Sequence, residues 1–323
     1  MSKSFKIGEI VAEKGKKASG FLTIQDDTAY NVKLLVGIIN GPEKGPVICI
    51  TGGLYGTIYP GIDACIRLYN ELDPKKLKGT VITVPVIEMT GFQYGIDKSP
   101  IDDLSPSNIF PGDVNGTITY RIAYTLFNEV IKKSEYHLDL RGGDLWENLH
   151  HFGIYSITGN KEFDQKTEAL SKIFGTKYYL AVPESKGSLI SEACREGVYS
   201  VVLEAAKGFG TYDEEDILKN LKGINNMLKY LKMVEGQPDI PYSPKQEEFK
   251  IYQIKARVGG LLYLNNKYGQ MTHKNEKLGE IRNLKGEVIQ ELVSPIDGIV
   301  HYTYPKHIKK PGDTIIGIRK VLE

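Results

Sequence analysis

Residues 50–61 read ITGGLYGTIYPG. An apolar run rich in β-forming residues, PVICITG at 46–52, feeds a glycine turn, and behind the turn Ile62, Cys65, Ile66 and Tyr69 recur at i, i+3, i+4 and i+7. That period marks a helix with one face on a sheet. The stretch is therefore a buried strand, a tight turn and a helix start, the unit from which layered α/β folds are built. Such turns commonly carry reactive groups, yet this one offers only Tyr55 and Ile58.

Similar units lie on either side. VKLLVGII at 33–40, TVITVPV at 80–86, EYHLDL at 135–140 and YSVVLEA at 199–205 are short apolar runs of the kind found in strands covered on both faces. Between them, Ile118, Ile122, Leu126 and Val130 put one stripe on a helix over 117–133. A last helix starts near Asp213, where the acids of DEED suit the positive end of the helix dipole, and continues through Ile217, Leu221, Ile224, Leu228 and Leu231. The expected α/β domain, with an N-terminal β segment, spans 1–235 and has a mixed, mostly parallel sheet. Residues 236–246 are rich in proline and polar side chains and read as a linker.

Beyond the linker the helical period disappears. Short strands broken by glycine or proline turns predict a small all-β domain over 247–323. The pairing of SPIDGIV with KKPGDTIIGI resembles the barrel-sandwich fold of biotinyl and lipoyl carriers. Met271 is followed here by Thr272 and His273 instead of the attachment lysine, so a structural or oligomerising role is expected, with a homo-oligomer as the result.

Composition narrows the function classes. The chain has 323 residues, 41% hydrophobic and 25% charged, and its 41 basic and 40 acidic side chains leave a net charge of +1. No global field draws nucleic acid or an anionic membrane, and neither partner is expected. No apolar run approaches the roughly 20 residues of a membrane helix, and the expected location is the cytoplasm. Cys49, Cys65 and Cys194 form no CxxC pair and read as small core residues.

GGLYGTIYPG, VPVIEMTGFQYG, SPSNIFPG, NGTITYRIAY, LDLRGGDL and VVLEAAKG occur in an order that resembles the succinylglutamate desuccinylase/aspartoacylase family, relatives of the zinc carboxypeptidases. The resemblance implies a three-layer carboxypeptidase-like domain and hydrolysis of the amide bond of N-acyl amino acids. It also implies one zinc held by a His and a Glu from a GxHGxE turn and a His from a DLHGG strand end. Three such ligands leave a position for water, which zinc activates, and a later glutamate moves the proton.

Position by position, the zinc ligands are missing. The first His falls on Tyr55, the Glu on Ile58 and the second His on Arg141. An aliphatic chain cannot ligate, and a guanidinium stays cationic and repels a dication. No metal and no other cofactor is expected. The family's Asn-Arg pair before FPG is Ser107 and Asn108, so its carboxylate clamp is absent too. Asp139 and the glycines Gly142 and Gly143 remain, and Glu204 occupies the place of the catalytic glutamate.

On a strand His137, Asp139 and Arg141 share one face. Arg141 either replaces the zinc charge, gripping an anion or oxyanion, or fills the site by pairing with Asp139 or Glu204. Glu204 is either the proton carrier or the partner of Arg141, and Tyr55 either a hydrogen-bond donor or a packed aromatic. His137 also reads as a satisfied core histidine. The expected catalytic residues are Glu204, Arg141 and Tyr55; the expected substrate contacts are Asp139, His137, Glu88 and Asn108.

Three other candidate sites can be written on the sequence, and none holds. His150 and His151 are adjacent and point to opposite faces of a strand, so they do not chelate one ion together. A set of His137, Asp139, Glu88 and Glu204 matches no metal spacing, and GGLYG lacks the continuation of a phosphate loop. Two functions follow. One is an enzyme acting without the family's zinc on an amide or acyl derivative of a small amino-acid-like molecule. The other is a pseudoenzyme serving as a ligand-binding or assembly subunit.

Overall fold

A computed structural model of the chain describes residues 4–208, 210–265 and 267–322. Strands β1 (Phe5–Ile7) and β2 (Ile10–Ala12) form a small hairpin. Then come β3 (Lys16–Asp26), β4 (Asn31–Asn40), β5 (Glu43–Thr51), α1 (Tyr59–Glu71), β6 (Lys78–Val84), α2 (Met89–Tyr94), α3 (Ile118–Glu129) and β7 (Tyr136–Arg141). They are followed by β8 (Asn148–Leu149), β9 (Phe152–Ile157), α4 (Lys161–Lys172), β10 (Tyr178–Pro183), α5 (Leu189–Arg195), β11 (Tyr199–Glu204) and α6 (Glu214–Tyr230). The remaining strands are β12 (Lys245–Glu247), β13 (Tyr252–Lys255), β14 (Gly260–Leu264), β15 (Met271–Thr272), β16 (Lys277–Arg282), β17 (Val288–Val293), β18 (Gly298–Thr303), β19 (Ile308–Lys309) and β20 (Thr314–Arg319).

Nine strands make the main sheet, in the order β12-β10-β9-β11-β7-β5-β6-β4-β3. Neighbours run parallel except at β9/β11, β6/β4 and β4/β3. This is the expected three-layer α/β arrangement with a mixed, mostly parallel sheet. One apolar layer joins α1, α6 and the end of α4 to Ile48, Ile50, Leu138, Leu140, Val201 and Leu203. The other joins α3 and α5 to Val36, Ile38, Cys49, Ile82 and Val84. All three cysteines are buried, as small core residues should be.

The elements with strong apolar periods, β4 to β7, β11, α1, α3 and α6, were legible in the sequence; β9, β10, α4 and α5 were not. The reason is visible in α4, whose buried face is Thr167, Leu170 and Ser171, so that hydroxyls stand where a hydrophobic stripe would show.

The C-terminal strands form two sheets around Leu262, Leu278, Ile281, Leu292, Val300, Ile316 and Ile318. They interlock with the α/β part. β12 begins inside the stretch that reads as a linker and adds in parallel to the edge of the main sheet at β10. β8, from the other side, pairs with β18, with Leu149 opposite Tyr302 and Asn148 opposite Thr303. Ladder hydrogen bonds therefore tie the two parts in both directions.

Candidate active site

The turn after β5 is shaped by close approaches. Gly53 has φ +57°, and a Cβ at Gly56 would lie 2.2 Å from the backbone nitrogen of Phe92. The turn is pressed onto the segment between β6 and α2 by Ile87 N–H and Glu88 N–H, which donate to the Gly52 and Gly53 carbonyls at 3.2 and 2.9 Å. Tyr55 is left half-buried beside the apolar layer of α3, while Ile58 is 1% exposed and belongs to the core.

Register then assembles the rest. β5, β7 and β11 are adjacent and parallel, with Thr51 opposite Asp139, Ser200 opposite His137 and Glu204 opposite Arg141. Because side chains alternate along a strand, Cys49 and Thr51, then His137, Asp139 and Arg141, then Ser200 and Glu204 share one face. Arg141 and Glu204 end their strands at the carboxyl edge of the sheet, where α/β folds hold ligands.

A buried chain of hydrogen bonds leads to Arg141. Ser200 Oγ meets His137 Nδ1 at 2.8 Å, His137 Nε2 meets Thr51 Oγ1 at 3.0 Å, and the Thr51 hydroxyl donates to Asp139 Oδ1 at 2.7 Å. Since Thr51 spends its proton on Asp139, it accepts from His137 Nε2–H, and Nδ1 accepts from Ser200. Burial, helped by the Arg141 charge and opposed by Asp139, lowers the His137 pKa to about 4, so the ring is neutral. Asp139 Oδ2 receives Arg141 Nε at 2.5 Å.

Arg141 is ion-paired with Asp139 and, among the described residues, with no other carboxylate. Burial works against its charge, but Asp139, Tyr55 and Glu204 outweigh that and hold the guanidinium protonated. Its Nη2 and the Glu204 Oε2 are both shut from solvent and have no hydrogen-bond partner among the described residues. Glu204 is pushed up to about 8, first by burial and then by Glu147 and Asp139, against the pull of Arg141. Burial likewise raises Tyr55, although Arg141 and a hydrogen bond with Ser107 lower it.

The expected residues therefore divide. Tyr55, Arg141 and Glu204 come together electrostatically, with Asp139 orienting Arg141. His137 does not present an atom to a ligand: it is 0% exposed and both ring nitrogens are engaged, so it holds Thr51, which in turn donates to Asp139. Glu88 does not either. It caps α2, accepting from Thr90 Oγ1 at 2.5 Å and from Gly91 N–H, and is fully buried. Asn108 is exposed and its Nδ2 donates to Ser107 Oγ at 3.4 Å, which puts it at the rim beside the Tyr55 partner.

Glu147 was not singled out from the sequence. Burial and the nearby Asp144 raise its carboxyl to about 7, a hydrogen bond with Tyr304 opposes that, and its charge is felt by Glu204. Nothing in its spacing marks it, because Tyr304 comes from the C-terminal part and meets it only on docking.

A zinc ion does not fit the Tyr55, Ile58 and Arg141 positions. They offer a phenol whose pKa burial has raised, a core aliphatic chain and a guanidinium already bonded to Asp139. The set of His137, Asp139, Glu88 and Glu204 is also unavailable, since the first three spend their polar atoms on Ser200, Thr51, Arg141, Thr90 and Gly91.

The catalytic domain of succinylglutamate desuccinylase/aspartoacylase matches residues 44–231. The chain is 26% identical over 316 residues to N-alpha-acetyl-L-2,4-diaminobutyric acid deacetylase of Halomonas elongata, covering 94% of this chain and 92% of that protein. Among solved structures, the succinylglutamate desuccinylase/aspartoacylase of Rhodobacter sphaeroides superposes with a TM-score of 0.85 at 21% identity, over 95% of this chain and 96% of that one. The product-bound ectoine utilization protein EutE (DoeB) of Ruegeria pomeroyi gives 0.85 at 22%, over 94% of both chains. These neighbours share the fold, including the C-terminal β part. With the catalytic-domain match covering more than half of its length, the chain belongs to the succinylglutamate desuccinylase/aspartoacylase family.

Proposed function

We propose that the chain acts on the acyl group of a small amino-acid derivative, without zinc at the Tyr55, Ile58 and Arg141 positions. Glu204 moves the proton, Arg141 holds the oxyanion and Tyr55 adds a hydrogen bond. The observation that carries this reading is the pair of buried, unpartnered atoms on register-opposed residues, Arg141 Nη2 and Glu204 Oε2. Each such atom costs about 1–3 kcal/mol when left unmet. A ligand that gives Nη2 an acceptor and exchanges a proton with Oε2 removes both costs. The diaminobutyrate deacetylase relative supports the substrate class.

In the step itself, ionised Glu204 takes a proton from a water or an acceptor hydroxyl as its oxygen bonds to the acyl carbon. The carbonyl oxygen becomes an oxyanion against Arg141. When the tetrahedral intermediate collapses, Glu204 returns the proton to the leaving group, so the base is regenerated and charge balances. A carboxylate near 8 is a stronger base than an ordinary glutamate. It does not bring water from a pKa of about 15.7 to about 7 as zinc does. The reading therefore favours acyl groups more reactive than a plain amide, such as esters or thioesters.

The test is turnover and binding across N-acyl amino acids and the matching activated acyl esters. Glu204→Gln should lower kcat by about 10²–10⁴-fold with affinity retained, and wild-type kcat/KM should climb with pH to a plateau above about 8. Wild-type protein that binds these compounds and turns over none would overturn the enzyme and favour the small-ligand-binding pseudoenzyme.

A further inference from the structure

The seam between the α/β part and the C-terminal strands holds a second polar cluster. His150, from the turn after β8, Glu247, ending β12, and His301, in β18, come from three separate segments. Their ligand-type atoms all lie within 4.8 Å of one another. His150 Nε2 is 2.7 Å from Glu247 Oε1, His301 Nδ1 is 2.8 Å from Glu247 Oε2, and the two nitrogens are 3.1 Å apart. Glu247 is 0% exposed, His301 4% and His150 6%.

Proton counting makes this cluster unusual. His150 Nδ1 lies 3.3 Å from the His151 carbonyl oxygen, a partner that calls for an N–H at Nδ1. In the neutral ring Nε2 is then a lone pair, and it faces a carboxylate oxygen at 2.7 Å. Two acceptors at that separation repel unless a positive charge lies between them, either a second proton on the ring or a bound metal ion. A histidine that donates one ring N–H to a backbone carbonyl while the other nitrogen faces its ligands is the arrangement that metal-binding histidines use.

We propose that His150, Glu247 and His301 bind one divalent transition ion of zinc's class, as a staple across the seam. Two imidazoles and one carboxylate are a donor set that suits zinc and its neighbours over magnesium or calcium. Metal–ligand bonds of about 2.0–2.2 Å put adjacent ligand atoms about 3 Å or slightly more apart, close to the separations seen. An approach exists, because His150, His151 and Gly269 line a cavity of 360 Å³ that opens beside the cluster. Arg319 opposes the ion: its Nε is 3.9 Å from Glu247 Oε2, although its Nη1 is committed to the Glu248 and Phe249 carbonyls. It tempers affinity, so a strong chelator should empty the site. His151 takes no part, since it turns the other way and pairs with Asp216 at 3.1 Å.

The experiment uses the full chain, stripped with chelator and titrated with Zn²⁺ or Co²⁺. One equivalent should bind, with a Co²⁺ ligand-field spectrum, and His301→Gln should weaken binding by at least about a hundredfold, while His151→Gln leaves it unchanged. X-ray absorption of the wild-type zinc protein should show two imidazoles, a readout that needs no variant. Binding well below one equivalent, retention of the metal by a folded His301→Gln protein, or a spectrum without imidazole scattering would overturn the proposal.

Discussion

Glu247 is fully buried and Glu204 is half-buried with its Oε2 shut from solvent; burial pushes both carboxyls upward, yet they end on opposite sides of the ordinary value. Glu204 rises to about 8, because the one cation acting on it among the described residues, Arg141, is already ion-paired with Asp139, and Glu147 adds a second negative charge. Glu247 falls to about 2, because His150 and His301 each meet one of its oxygens. Burial sets the size of the stakes, and the number of uncommitted donors decides the direction. The first arrangement keeps a proton and an unused acceptor available at a strand end, which suits chemistry. The second consumes its carboxylate in holding segments together.

The largest effect expected from breaking this contrast is at Glu247. Glu247→Ala strands Arg319 and two imidazoles in a buried seam, and removal of one partner from a buried ionic cluster costs about 3–5 kcal/mol. A urea titration should show the loss as a lower midpoint. An unchanged midpoint would mean that the seam is held by the β12/β10 and β8/β18 ladders alone.

Arg141 comes next. Arg141→Met leaves Asp139 with Thr51 as its remaining donor and removes Nη2 from the pocket. If the guanidinium holds a developing oxyanion, kcat should fall by about 10²–10³-fold, the usual cost of losing one such donor. Arg141→Lys should recover little, because a single ammonium does not serve Asp139 and a ligand in the fork geometry. A fall in affinity with kcat unchanged would instead assign Arg141 to ground-state binding.

The active-site side of this contrast was largely legible in the sequence and the seam side was not. Alternation along 137–141 puts His137, Asp139 and Arg141 on one face, and the strand register places Glu204 against Arg141. What alternation does not report is whether a polar atom is already spent. His137 and Glu88 have the right types for ligand contact, but Ser200, Thr51, Thr90 and Gly91 occupy them. The seam cluster unites residues 150, 247 and 301, and no local period links positions that far apart. His150 and His151 do point to different partners, as neighbours on extended chain must, but the identity of those partners, Glu247 and Asp216, is fixed only by docking.

The subtlest test asks whether Glu204 is the neutral acid described or merely the counter-ion of Arg141. A carboxyl whose folded pKa, about 8, exceeds its ordinary value of 4.5 contributes stability that is complete below pH 4.5 and is lost as pH rises toward 8. Glu204→Gln cannot ionise, so it escapes that loss. Its thermal midpoint minus that of wild type should be smallest near pH 4.5, widen as pH rises, and level off above about 8. An ion pair with Arg141 predicts the reverse sign, because the carboxyl would then have a lowered pKa and the variant would lose ground as pH rises through the acidic range. A difference flat with pH would mean that Glu204 titrates alike in both states, and Glu204 would then have no advantage over any surface glutamate as a base.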